Sequence, residues 1–96
     1  MIRHICMFKM KPEGRKEKVA EFLRRAESLR AIGEIRRFEA VANYPGTPDS
    51  NFDVALIFDF DSLEALDSYQ KHPIHVEFGR FVATVRELRA CIDYEL

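Results

Sequence analysis

The chain contains no tryptophan, only two cysteines, four glycines and four prolines among its 96 residues, and it carries no surplus of either charge. Each shortage excludes something. Fifteen Lys and Arg against sixteen Asp and Glu give a formal charge of -1. Nucleic-acid binders draw most of their affinity from cationic side chains on phosphates, so nucleic acid is not an expected partner. The longest unbroken apolar stretch, Val54–Phe58, is far shorter than the roughly 20 residues that cross a bilayer as a helix, and no membrane partner is expected. The opening Met1-Ile2-Arg3-His4-Ile5-Cys6 has neither the apolar run nor the cleavage site of a secretory signal, which points to a cytoplasmic protein. Cys6 and Cys91 stand far apart and form no CxxC pair. A disulfide framework or a structural zinc site is therefore not expected, and the two cysteines read as buried thiols. No glycine-rich phosphate-binding motif occurs, so no nucleotide-type cofactor is expected.

What is present is globular in composition, 47% hydrophobic and 32% charged, in one domain over residues 1–96. Ile2 to Lys11 alternates, with Ile2, His4, Cys6, Phe8 and Met10 on one side, which predicts a strand. Pro12-Glu13-Gly14 breaks it. Val19, Phe22, Leu23, Ala26 and Leu29 then recur at helical spacing, predicting a helix from Arg15 to Arg30 with Gly33 as its stop. Arg36 to Asn43 reads as a second strand, and Tyr44 to Ser50 as a loop. Phe52 to Phe60 is the clearest strand. Asp61-Ser62-Leu63-Glu64 resembles a capping box with Asp61 as N-cap, opening a helix with Leu63, Leu66 and Tyr69 on its stripe. His72-Pro73 interrupts that helix, and Pro73 suits the first position of another that buries Ile74, Phe78, Phe81, Val82 and Val85. Leu88 to Leu96 is the last strand.

The order strand, helix, strand, strand, helix, strand is that of an α+β, ferredoxin-like βαββαβ domain: a four-stranded antiparallel sheet with helices on one face. Ile5, Met7, Ala55 and Ile57 fall on the opposite face. A solvated sheet face is more polar than this, so a second copy packing sheet to sheet is expected, making a homodimer.

The chemistry-bearing residues concentrate in Tyr69-Gln70-Lys71-His72-Pro73-Ile74-His75-Val76-Glu77-Phe78. Histidine titrates near neutrality and can accept a proton, and a tyrosine hydroxyl can donate to an oxygen gaining negative charge. His75 falls in the first turn of the last helix, where the positive helix end disfavours its protonation. His72 beside Pro73 reads as a helix cap. His4, on an apolar strand face, reads as a buried, hydrogen-bonded histidine. His-x-x-His across a proline is not a specific metal spacing, and no metal is expected.

The run Tyr69, His72-Pro73, His75 and Phe78 resembles the stress-responsive A/B barrel family, as do the opening His4-Ile5-Cys6-Met7-Phe8-Lys9 and the step Phe60-Asp61-Ser62. The resemblance covers essentially the whole chain. It implies ferredoxin-like subunits pairing into a dimeric α/β barrel. Many members have no assigned activity. Some are similar plant polyketide cyclases, which close a linear polyketide by an intramolecular aldol step without a metal, and related barrels include monooxygenases of aromatic substrates. By this resemblance His75 is the catalytic base and Tyr69 the catalytic donor to the developing enolate. His4 and His72 are implied as substrate-binding. A small hydrophobic ligand is the implied partner, held in a pocket between sheet and helices. The chain departs from the cyclases on its third strand, where Val54 stands in place of a histidine, beside Asp53. A non-catalytic role in homodimeric assembly is the alternative.

Overall fold

In the computed structural model, which describes residues 1–96, the chain runs through β1 (Ile2–Met10), α1 (Arg15–Ala26), a 3₁₀ turn (Glu27–Ala31), β2 (Arg37–Ala42), β3 (Val54–Phe60), α2 (Leu63–Lys71), α3 (Pro73–Val85) and β4 (Arg86–Glu95). The strands form one antiparallel sheet in the order β2-β3-β1-β4. This is the ferredoxin-like arrangement that the element order implies.

β1 is a central strand, and its period of two divides the molecule. The even residues meet the helices. Cys6, Phe8 and Met10 join Leu56, Phe58 and Phe60 of β3 and Phe22, Leu66, Phe78 and Val82 of the helices in one core. Phe58 is fully buried at its centre, with the rings of Phe38, Tyr69 and Phe60 at 5.3, 5.0 and 5.9 Å. The odd residues face away. Ile5 lies opposite Ile57 on one side and Ile92 on the other, and Met7 lies opposite Ala55 and Ala90. Met7, Val41, Leu88, Ile92 and Tyr94 leave this face apolar and exposed. Two polar pairs interrupt it: Arg37 donates to Glu39 on β2, and Arg3 donates two hydrogen bonds to Asp59, at 2.7 and 3.0 Å, and holds that buried carboxyl below the usual carboxylate range.

Several expectations are corrected. Cys6 and Cys91 are not separate thiols: they lie directly opposite across β1 and β4 and are joined by a disulfide. Their 85-residue separation hid a register that only the closed sheet reveals. The N-cap of α2 is Ser62, not Asp61. The Ser62 hydroxyl accepts from the Ala65 amide at 3.1 Å, while Asp61 is engaged by Arg36. Leu63 therefore starts the helix and stays exposed, and Leu66 and Tyr69 carry the buried stripe. The first helix does not run to Arg30 as one α-helix. It tightens at Glu27 into the 3₁₀ turn, which buries Leu29, and ends where Ile32 turns extended into the core, so no left-handed Gly33 is needed.

Gly14 does need its freedom. It is the residue before α1 and has φ 59°, the left-handed region. A side chain there meets no close neighbour, so the cost of adding one is conformational alone. Gly14→Ala is expected to lower stability by about 1 kcal/mol, measured as a fall in the urea midpoint with an unchanged slope.

Candidate functional site

The site begins at the break between α2 and α3. In an unbroken helix Ile74 would give its N–H to the Gln70 carbonyl. Pro73 and the extended backbone of His72 prevent that. The Ile74 N–H goes instead to His72 Nδ1, at 3.1 Å, so His72 caps α3 with its own ring. The Gln70 carbonyl then accepts a hydrogen bond from His75 Nδ1, at 2.9 Å. A carbonyl can only accept, so Nδ1 carries the proton and Nε2 of the neutral ring keeps its lone pair.

His75 and Tyr69 both line a cavity of about 350 Å³ between the sheet and the α2–α3 pair. Their ring centroids are 4.6 Å apart. Tyr69 is buried from α2 against Phe58 and Phe60. No fully enclosed side-chain nitrogen or oxygen lacks a partner, and the Tyr69 hydroxyl bonds no protein group, so it opens on the cavity. Phe8, Leu56, Phe78 and Val82 supply apolar wall, and Gln70, Arg86 and Arg89 supply polar groups.

The protonation states are complementary. Burial is the leading influence on His75 and lowers its pKa below the ordinary 6.5. The hydrogen bond to Gln70 opposes this, and His4 and Arg89 add to the lowering. The direction is the one the helix position suggests, but desolvation leads it. Burial raises the Tyr69 hydroxyl above its ordinary 10.0, with Arg89 opposing. Near neutral pH the site therefore offers an unprotonated imidazole beside a protonated phenol.

His4 also reaches the cavity wall, its ring 6.4 Å from that of Tyr69. It is buried: Nδ1 donates to the Asp93 carboxylate, and Nε2 lies 3.2 Å from Cys6 Sγ. His72 does not line the cavity. Val54 is a core residue at the far end of β3, and Asp53 accepts from the Met10 amide at 2.7 Å. Arg86, Arg89 and Asp93 escaped sequence reasoning. The signal was present in β4, where Arg89, Cys91 and Asp93 alternate with Ala90, Ile92 and Tyr94. The apolar set faces the open side of the sheet, and the polar set faces the cavity side.

No curated protein matches the chain. Among solved structures it is similar to a dimeric ferredoxin-like protein of unknown function from Bacteroides fragilis NCTC 9343, at 32% identity and TM-score 0.84, covering 99% of this chain and 95% of that one. It is similar to a Dabb family protein of ferredoxin-like fold from Mesorhizobium loti, at 28% identity and TM-score 0.84, with the same coverage of 99% and 95%. A hydroxynitrile lyase from Passiflora edulis shares the fold at TM-score 0.81 and 16% identity, over 97% of this chain and 90% of that one. The family model for the stress responsive A/B barrel domain matches residues 2–96. With the sheet order and the His-Pro-x-His helix break in place, the chain belongs to the stress responsive A/B barrel domain family.

Proposed function

We propose that the chain works as a homodimer whose cavity binds a small, largely apolar carbonyl compound, and that Tyr69 and His75 perform aldol-cyclase-like acid–base chemistry on it. The observation that carries this reading is the 4.6 Å contact of the two rings at the cavity wall, in complementary protonation states. His75 Nε2 takes a proton from the carbon next to the carbonyl. The electron pair moves onto the carbonyl oxygen, which Tyr69 steadies by donating its O–H. The enolate carbon then bonds a second carbonyl carbon of the same molecule, and His75 returns its proton to the resulting alkoxide. Nothing is oxidised or reduced. The cavity volume lies within the range of small-molecule sites.

His4 helps shape the substrate wall, and His72 acts as a positioning residue whose cap frees the Gln70 carbonyl to orient His75. The lyase of Passiflora edulis lends an analogy of fold alone. The homodimer rests on the apolar sheet face and on the dimeric state of the similar protein from Bacteroides fragilis. That face also favours a second reading, in which assembly is the chain's whole role.

Exchange of the methyl protons of acetophenone in D₂O, followed by NMR, separates the two readings. The protein is expected to accelerate it. His75→Ala should cost about 100-fold or more, and Tyr69→Phe about 100-fold. The rate should rise with pH through the lowered His75 pKa and level off by neutrality, because the unprotonated ring is the base. A His75→Ala protein exchanging at the wild-type rate would leave assembly as the better account. Light scattering at micromolar concentration should give twice the 11.2 kDa chain mass, and Ile92→Asp, at an exposed position of that face, should give monomer. His72→Ala should lower stability by about 1 kcal/mol and slow exchange, while His72→Asn, which restores a cap, should recover both. If Asn recovers stability but not exchange, His72 meets substrate instead.

A further inference from the structure

The proton-transfer chemistry leaves one part of the cavity wall unused: the disulfide of Cys6 and Cys91, with His4, Asp93 and Arg89 around it. The β1–β4 register sets Cys6 opposite Cys91 and, two residues along, His4 opposite Asp93. The carboxylate of Asp93 accepts at His4 Nδ1, so that nitrogen carries a proton and Nε2 is the one left to face the sulfur. Nε2 points at Cys6 Sγ from 3.2 Å. This is the order of a nucleophile, its base and the acid that orients the base. On another side, Arg89 Nη2 stands 3.9 Å from the same sulfur.

A disulfide sulfur has no proton to give to Nε2, but a thiol does. The surroundings therefore suit the reduced form. Reduced Cys6 would pass its proton to His4, and the thiolate would lie beside the resulting imidazolium and the Arg89 guanidinium, the setting that makes cysteine nucleophilic. The two sulfurs differ in access. Cys6 is buried on the cavity wall, and Cys91 is exposed. Lone disulfides outside disulfide-dense scaffolds are characteristically catalytic or redox-sensing when they occur in reducing compartments.

We propose that Cys6 and Cys91 are a redox-active pair in which reduced Cys6, activated by His4 and Asp93, reduces apolar organic hydroperoxides that enter the cavity, and Cys91 closes the disulfide. The Cys6 thiolate attacks the terminal oxygen of ROOH. A sulfur–oxygen bond forms, the O–O bond breaks, and the departing alkoxide takes the proton from His4 to leave as ROH. Cys91 then attacks the Cys6 sulfenic acid. The S–S bond forms, the S–O bond breaks, and the hydroxyl leaves as water with the Cys91 proton. An external dithiol attacking at exposed Cys91 restores both thiols and is itself oxidised to a disulfide. One ROOH and one dithiol thus give ROH, water and one disulfide.

The test uses the full chain, reduced with dithiothreitol and freed of it, with cumene hydroperoxide as oxidant and no carbonyl probe present. The two thiols should disappear together, about 100-fold faster than those of free cysteine, with one peroxide consumed per protein. Cys91→Ser should stop at a sulfenic acid that dimedone traps on Cys6, and Cys6→Ser should remove the reaction. His4→Asn should slow the reaction about tenfold or more and abolish thiolate absorbance at 240 nm near neutral pH, where an ordinary cysteine of pKa about 8.5 is mostly protonated. Oxidation no faster than that of free cysteine would overturn the proposal, as would a His4→Asn protein with unchanged rate and absorbance. So would reduced protein that holds Zn²⁺ one-to-one and resists the peroxide. That result would assign His4, Cys6 and Cys91, whose ligand atoms lie within 4.8 Å of one another, to a metal.

Discussion

Every group on the sheet side of the cavity is placed by one constraint, the antiparallel register of β1 between β3 and β4. That register sets His4 between Phe58 and Asp93, and Cys6 between Leu56 and Cys91. A slip of one residue would exchange the two faces of β1. Ile5 and Met7 would enter the core, and His4 and Cys6 would meet solvent. The apolar weight of Phe8, Met10, Leu56, Phe58 and Phe60 on the helix side holds the register in place.

The helical side of the site depends on a local defect. A continuous helix from Leu63 to Val85 would satisfy the Gln70 carbonyl internally and leave His75 free to turn. Pro73 removes one donor, His72 diverts another, and the released carbonyl fixes the His75 tautomer. Burial then does the electrostatic work. It disfavours the charged forms of both His75 and Tyr69, pushing their pKa values apart so that a base and a donor coexist at one pH.

β4 links the two sides of the molecule. At the edge of the sheet, it turns Ala90, Ile92 and Tyr94 to the open face and Arg89, Cys91 and Asp93 toward the cavity. The same strand thus contributes to the surface suited to a second subunit and to the polar lining of the site. Arg89 acts on several groups at once. Its charge opposes the burial-driven rise of the Tyr69 pKa and adds to the burial-driven lowering at His75, and its guanidinium lies 3.9 Å from Cys6 Sγ.

Much of this was open to sequence reasoning. Periodicity located the strands and helices to within a few residues, because alternation and helical spacing are local properties that burial enforces. Both apolar faces of β1 and β3 were visible in the same way. His75 and Tyr69 could be singled out because they lie six residues apart across a proline break. The capping residue of α2 is one position beyond the one the capping-box pattern suggests: Asp61 and Ser62 are both competent caps, and in the fold Asp61 pairs with Arg36 while Ser62 takes the Ala65 amide.

The amino-acid sequence by itself determined the order of elements, the two-faced sheet and the helix break that carries His75, because each depends on neighbours a few residues apart. Tertiary structure alone decided that Cys6 meets Cys91, that His4 rests between Asp93 and Cys6, and that Arg89 reaches the cavity. Those contacts join β1 to a strand more than eighty residues later, and only closing the sheet chooses which residues stand opposite one another.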